Sequence, residues 1–160
     1  MGIINIYTDG AAKGNPGPGG YGVILEYNNI QKELSEGFQL TTNNRMELLA
    51  VIIGLESIKE TGYKIIIYSD SKYVVDAVNK NWLFNWEKTN YKKKKNSDLW
   101  KRFLKIYRKH QVVINWVKGH AGHSQNERCD QLAVQASINK KLKIDAGYEL
   151  SLNLPNTLFD

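Results

Sequence analysis

The sequence predicts an α/β domain in which a mixed β-sheet packs against helices. β-rich runs separated by turn residues occupy the first 40 residues, and later strands alternate with segments whose apolar residues follow helical spacing. The order is three strands, a helix, a strand, helices, a strand and a final helix, which is typical of a sheet with helices packed on it. A chain of 160 residues is long enough for one domain with a substantial core.

The first three strands are predicted at residues 3–8, 21–27 and 31–40, with Asn28-Asn29 as a hairpin turn between the second and the third. The second and third strands are expected to be antiparallel, because the turn that joins them is short. Five glycines and two prolines within residues 10–20 indicate a loop between the first two strands.

The remaining elements are predicted from hydrophobic spacing and turn residues. They are, in chain order, a helix over residues 41–60, a strand over 64–68, a helix from Ser69-Asp70 to residue 78, a helix over 99–109, a strand over 112–117 and a helix over 124–140. Thr41 or Thr42 is the expected cap of the first of these helices. Ser124 and Glu127 match a capping box at the start of the last one. Residues 141–160 have little periodicity and receive no predicted element or role.

The glycine-rich loop is not predicted to bind a nucleotide. A dinucleotide-binding turn leads into a helix, whereas residues 21–27 after this loop are strand-like. The phosphate-binding loop requires Gly-Lys-Ser/Thr, but Gly14 is followed by Asn15. The loop is therefore interpreted as a connection between antiparallel strands that leaves Asp9 at the carboxyl end of the first strand.

The net charge of +6 is concentrated in one segment. Residues 80–102 contain eight lysines and arginines but only two acids, and the charges of the remaining residues balance. A focused basic surface attracts polyanions, of which nucleic acid is the commonest. An ordinary alternative is a solvated lysine run beside core tryptophans.

Other features limit the class of protein. The single cysteine, Cys129, excludes an internal disulfide and a cysteine-based zinc site, and it suits a reducing, cytoplasmic setting. The first residues lack the pattern of a signal peptide. No apolar run approaches the roughly 20 residues that a membrane-spanning helix needs, so no membrane partner is expected.

Four acidic residues are candidates for a metal site. Asp9 and Asp70 follow predicted strands whose carboxyl ends would face one crevice, Glu47 lies early in its helix, and Asp130 borders an apolar stripe. Each also has an ordinary explanation: Asp70 as a helix cap, Asp9 as the start of a turn, and Glu47 and Asp130 as solvated helix residues. Together in one crevice they would repel each other, and Mg²⁺ or Mn²⁺ would relieve that repulsion. Two such ions about 4 Å apart suit the cleavage of a phosphodiester.

Several motifs in the right order resemble those of type 1 ribonuclease H of the cellular, bacterial kind. They lie at residues 8–10, 14–22, 41–48, 69–71, 116–123 and 126–133. The resemblance implies a ribonuclease H-like fold, with a five-stranded mixed sheet in the order 3-2-1-4-5 and helices on both faces. It also implies Mg²⁺-dependent cleavage of the RNA strand of an RNA–DNA hybrid, leaving 5′-phosphate and 3′-hydroxyl ends. A monomer is expected, since nothing in the sequence suggests a larger assembly. Residues 1–140 would be the catalytic domain and residues 141–160 a tail of unknown role.

The resemblance also implies roles for individual residues. Asp9, Glu47, Asp70 and Asp130 would hold two Mg²⁺ ions, and His120 would help proton transfer or product release. Substrate contacts are expected from Asn15, Asn43 and Asn44 in the minor groove, from Thr42 at a DNA phosphate, and from a basic protrusion over residues 80–102 that includes Trp82, Trp86, Lys88, Lys92, Lys93, Lys94 and Lys95. Lys72 stands where the family often has glutamine, and it would reach a phosphate instead.

Two other functions are compatible with these motifs. One is a metal-dependent DNA nuclease or transposase-like core, and the other is a catalytically inactive module that binds hybrids. The Asn43-Asn44 pair and the basic segment favour the hybrid nuclease over the first alternative. The presence of all four acids argues against the second.

Overall fold

The structure is a computed structural model that describes residues 2–119 and 123–153. His120, the residue expected to assist proton transfer, lies outside the described residues. Within those ranges, no helix combines the length and the apolar character that crossing a bilayer would require.

The sheet has five strands and mixed pairing. The strands are β1 (Ile3–Ala12), β2 (Gly17–Tyr27), β3 (Ile30–Thr41), β4 (Lys64–Ser69) and β5 (Gln111–Trp116). Their order across the sheet is β3-β2-β1-β4-β5. β2 is antiparallel to both β1 and β3, and β4 is parallel to both β1 and β5. This confirms the predicted fold class and strand order. The carboxyl ends of β1, β4 and β5 therefore lie at one edge of the sheet.

The glycine-rich stretch is mostly strand, which corrects the prediction of a loop over residues 10–20. β1 runs on to Ala12, which pairs with Gly19 of β2, so that the connection is only residues 13–16. The reason lies in packing: a Cβ at Gly20 would stand 2.6 Å from the carbonyl oxygen of Ala133, on the helix that packs over this strand. This glycine lets a helix lie directly on the strand.

Six helices surround the sheet in the described chain. They are α1 (Asn43–Glu56), α2 (Lys72–Asn79), α3 (Trp82–Lys88), α4 (Ser97–Tyr107), α5 (Ser124–Ser137) and α6 (Ala146–Asn153). The predicted cap Thr42 is confirmed, since its side chain accepts a hydrogen bond from the Arg45 amide. The predicted capping box is wrong: His123 occupies the N-cap of α5, and the Ser124 hydroxyl bonds the neighbouring Gln125 side chain instead.

Alternate residues along the strands build two separate cores. Ile6 and Val23 belong to the larger core, together with residues of α1, α2 and α4, among them Trp100. Ile24, the residue after Val23, belongs to a smaller core with Cys129 and Leu132 of α5. Because neighbouring strand residues point to opposite faces, this division places helices on both faces of the sheet, as predicted.

Residues 141–153 pack against β3, the outer strand of the sheet, although the sequence predicted no element there. Lys143 exchanges backbone hydrogen bonds with Gly37 and Gln39 of β3, at 2.9 and 2.8 Å, and α6 follows. Asp145, between them, accepts hydrogen bonds from Thr41 Oγ1 at 2.7 Å and from Arg45 Nε at 2.8 Å. These contacts are between residues about 100 positions apart, and hydrophobic periodicity carries no information about them.

Candidate active site

Three carboxylates meet at the edge of the sheet where β1 and β4 end. Asp9, Glu47 and Asp70 each offer an oxygen, and these oxygens lie within 4.8 Å of one another. Asp9 lies in β1, Asp70 follows β4, and the two strands are adjacent and parallel. Glu47 comes from the first turns of α1. Asp70 does not cap α2, because the Ser71 side chain accepts the hydrogen bond from Val74 in that role.

Asp130 lines the same cleft but stands outside this tight group. The cleft has a volume of about 300 Å³, and Asn43 and Ser71 also line it. Asp130 lies on α5 and is half-buried. Asp130 adds to the rise in the pKa of Asp9, through a side-chain hydrogen bond and through its charge.

Gly10 brings α1 and β1 into contact at the cleft. A Cβ at this position would stand 2.4 Å from the Glu47 nitrogen and 2.4 Å from the Met46 carbonyl carbon. The Gly10 amide donates to Asp9 Oδ1 at 2.9 Å and to Glu47 Oε1 at 2.8 Å. Only a residue without a side chain lets one backbone amide hold both carboxylates, so Gly10 fixes their separation.

The two buried carboxylates are held in a setting that disfavours their charge. Burial raises the pKa of Asp9 from 3.8 to about 7, and nearby Asp70 and Asp130 add to the effect while a hydrogen bond with Glu47 opposes it. Burial also raises the pKa of Glu47 well above its ordinary range, and Asp9 reinforces this. Neither carboxylate makes an ion pair with any residue that the structure describes.

This group of acids fits a divalent cation. Glu47 Oε2 is buried and has no hydrogen-bond partner among the described residues. Clustered carboxylate oxygens are the ligands that Mg²⁺ and Mn²⁺ prefer. A cation bound here would supply the missing partner of Glu47 and offset the repulsion between the acids. Asp9, Glu47 and Asp70 could therefore hold a metal ion.

The predicted minor-groove residues lie together at the rim of the cleft. Asn43 Oδ1 accepts a hydrogen bond from the Ala12 amide, and Asn15 Oδ1 accepts one from the Asn43 amide at 3.0 Å. Asn15, Asn43 and Asn44 are all exposed. These bonds fix two of the three side chains against the end of β1, beside the carboxylates.

The basic segment of residues 80–102 contains α3, the turns on either side of it and the first half of α4. Lys88 and Lys92 to Lys95 are exposed, as is Trp82, over whose ring Lys80 lies at 5.2 Å. Trp86 packs edge-on against the core residue Trp100, with ring centroids 5.8 Å apart, and carries Lys94 at 5.0 Å. Trp86 therefore anchors an exposed, lysine-rich surface to the core.

Two further features border Asp70. A Cβ at Gly119 would stand 3.0 Å from Asp70 Oδ2, so the chain passes next to this carboxylate immediately before His120. Trp116, which the sequence analysis placed in a motif without a role, donates from Nε1 to the Asp70 carbonyl at 3.0 Å. Its position at the end of a strand parallel to β4 was the signal in the sequence, because such strand ends share one edge of the sheet.

Comparison with known proteins identifies relatives along most of the chain. The family model described as RNase H matches residues 2–138. Ribonuclease H of Desulforamulus reducens is 54% identical over 147 residues, which cover 89% of this chain and 92% of that protein. Ribonuclease HI of Shewanella oneidensis is 51% identical over 152 residues, which cover 92% of this chain and 95% of that protein.

Solved structures show the same likeness. The crystal structure of LC9-RNase H1, a type 1 RNase H with the type 2 active-site motif, has a TM-score of 0.78 and 31% identity, with 98% of this chain and 83% of that chain covered. LC11-RNase H1 in complex with RNA/DNA hybrid has a TM-score of 0.65 and 28% identity, with 83% and 95% covered. Family model, curated relatives and fold agree, and the chain belongs to the RNase H family as a ribonuclease H enzyme.

Proposed function

We propose that this enzyme hydrolyses the RNA strand of RNA–DNA hybrids and leaves 5′-phosphate and 3′-hydroxyl ends. The observation that carries the proposal is the cluster of Asp9, Glu47 and Asp70 at an open cleft. Asp9 and Glu47 are buried, and no cation among the described residues pairs with either of them. The relatives named ribonuclease H support it, as does the related LC11-RNase H1 structure in complex with RNA/DNA hybrid.

The metal-binding residues of the proposal are Asp9, Glu47, Asp70 and Asp130, which would hold two Mg²⁺ ions, or Mn²⁺ in their place. Such ions, when bound, activate a water for attack on phosphorus and stabilise the leaving oxygen. The Gly10 amide orients one oxygen each of Asp9 and Glu47, so the other oxygens can turn toward the cleft. Asp130, like Asp70, is partly exposed at the cleft.

His120 is proposed to move a proton at the reacting phosphate or to assist release of the product. It follows Gly119, which lies beside Asp70. An imidazole near a carboxylate can accept and donate a proton near neutral pH. Its own placement lies outside the described residues.

Substrate recognition is proposed to begin at the rim of the cleft. Asn15, Asn43 and Asn44 offer amide groups to the minor groove, where the 2′-hydroxyl distinguishes RNA from DNA. Thr42, at the start of α1, would bind a phosphate of the DNA strand together with the helix N-terminus. Lys72, exposed and next to Ser71, would contact another phosphate.

The basic segment of residues 80–102 is proposed to bind a part of the hybrid that lies outside the cleft. Trp82, Trp86 and the exposed lysines 88 and 92 to 95 would contact backbone and sugars without reading sequence. Because this surface is part of the same chain, we propose that the enzyme acts as a monomer, with residues 1–140 as the catalytic domain. The single buried thiol, Cys129, is consistent with a cytoplasmic location.

The test is a cleavage assay with four end-labelled substrates: RNA–DNA hybrid, single-stranded RNA, duplex RNA and duplex DNA. Each is incubated with Mg²⁺ and with excess EDTA. The expected result is loss of the hybrid's RNA strand only, and only with metal. Asp9→Asn should lose this activity, while the matched control Glu60→Gln, which neutralises an exposed acid, should keep it. Cleavage of duplex DNA would favour a DNA nuclease, and tight hybrid binding without cleavage would favour a binding module.

A further inference from the structure

We propose that Trp116 is a positioning residue that holds the ammonium of Lys72 at the rim of the carboxylate cleft, where it binds a backbone phosphate of the substrate. The proposal rests on the proposed function, because it assumes a nucleic acid in the cleft. Trp116 itself has no role assigned by the sequence motifs, and Lys72 occupies a position where a neutral side chain is common in the family.

Trp116 is fixed to the residue that carries the metal-binding carboxylate. It is the last residue of β5 and pairs with Ser69, the residue before Asp70. Its indole Nε1 donates to the Asp70 carbonyl at 3.0 Å. The ring is nevertheless 44% exposed. An exposed tryptophan tied down at its nitrogen offers one immobile face beside the cleft.

Lys72 lies over that face. Its Nζ is 4.8 Å from the centroid of the Trp116 ring, within the range of a cation–π interaction. A free lysine side chain has four rotatable bonds, and ordering it at a phosphate costs conformational entropy. The ring restricts the ammonium before the substrate arrives, and Ser71, the residue before Lys72, already lines the cleft.

The same device recurs along the surface that the substrate would follow. Lys80 lies over Trp82 and Lys94 lies over Trp86, both in the basic segment of residues 80–102. The helix α2 joins Lys72 to this segment and is about 12 Å long, at 1.5 Å per residue. That length equals three to four base-pair steps at about 3.4 Å of rise along the duplex axis. One duplex can therefore contact the Lys72 site and the basic segment together.

The test is a double-mutant cycle on hybrid affinity, measured by fluorescence anisotropy in EDTA over a series of salt concentrations. Lys72→Met should lower the salt slope of the affinity by about one, because one phosphate contact is lost. Trp116→Leu should raise Kd about two- to fivefold, the loss expected for one exposed cation–π contact. In the double variant, the Trp116 change should add nothing further.

Two variants serve as controls. Trp116→Phe keeps a ring under the lysine but loses the hydrogen bond to the Asp70 carbonyl, so its Kd should lie between those of the wild type and Trp116→Leu. Val113→Ala alters another exposed residue of β5 and should leave Kd unchanged. Additive losses in the cycle, or a Trp116→Phe variant as weak as Lys72→Met, would overturn the proposal while leaving the proposed function intact. A parent chain that neither binds nor cleaves the hybrid would overturn both.

Discussion

Replacement of Asp9 by asparagine should stabilise the metal-free protein while abolishing cleavage. Asp9 is 8% exposed, and burial raises the pKa of its carboxyl from 3.8 to about 7. Above that pH, the folded protein must hold an ionised carboxylate next to Glu47 and Asp70. Asparagine has the same shape, keeps an oxygen for the Gly10 amide, and can donate a hydrogen bond to Glu47. It cannot replace the charge that a metal ion requires.

The size of the effect follows from the pKa. A rise from 3.8 to about 7 corresponds to about 4 kcal/mol of unfavourable free energy once Asp9 is ionised in the folded state. Because the folded pKa lies above the unfolded one, the stabilising contribution of the protonated group is fully present below about pH 4 and is lost as the pH rises through about 7. When the pH is lowered from 8.5 to 5, protonation of Asp9 should raise the free energy of unfolding of the wild-type chain by about 3 kcal/mol.

The assay is urea denaturation in EDTA at pH 5 and pH 8.5, for wild type, Asp9→Asn and the exposed control Glu60→Gln. The Asp9 variant should be more stable than wild type by up to about 4 kcal/mol at pH 8.5, with a much smaller gain at pH 5. Mg²⁺ at 100 times its dissociation constant should stabilise wild type by about 2.7 kcal/mol and the variant by less. The reasoning would be refuted if the variant were no more stable than wild type at pH 8.5. It would also be refuted if the gain in free energy of unfolding over wild type were the same at both pH values.

Three other changes have defined outcomes. Asp145→Asn leaves the guanidinium of buried Arg45 with half of its ion pairs and should lower the free energy of unfolding by about 3–5 kcal/mol. Asp98→Asn, at the exposed side of the same arginine, should cost clearly less in the same urea titration, and equal losses would contradict the importance of burial. Serine at positions 92–95 should raise the hybrid Kd and flatten its dependence on salt, whereas an unchanged slope in anisotropy titrations would show that these lysines do not contact the backbone. His120→Ala should slow single-turnover cleavage while leaving hybrid affinity in EDTA unchanged, and an undiminished rate would remove His120 from the mechanism.

The sheet and the helices that flank it could be predicted because their signals are local. Periods of two and 3.6 residues identify strands and helices, and strand ends follow from their order along the chain. Asp9 and Asp70 were placed at one crevice on that basis, and the structure brings them together with Glu47. The glycines were misassigned to a loop, because a glycine that admits a helix onto a strand looks the same in sequence as one in a turn.

The contacts of residues 141–153 could not be predicted, since they depend on distant partners. Lys143 extends the sheet through backbone hydrogen bonds, which any non-proline residue could make. The pairing of Asp145 with Arg45 joins residues 100 positions apart. Strand order places Trp116 near Asp70, but its contacts with a backbone carbonyl and with Lys72 on another element have no signal in the sequence.

Arg45 shows how the fold keeps the cleft anionic. It stands two residues before Glu47 on α1, and at 100° per residue the two side chains leave the helix on opposite sides. Asp145 and Asp98 accept four hydrogen bonds from its guanidinium, so the nearest arginine in the sequence is held away from the carboxylates. Among the described residues, Glu47 and Asp9 then have no cation as a partner, so a proton or a metal ion can take that place. Because both compete for the same oxygens, the affinity for a divalent cation must rise as the pH increases through about 7, the pKa of Asp9 in the metal-free protein.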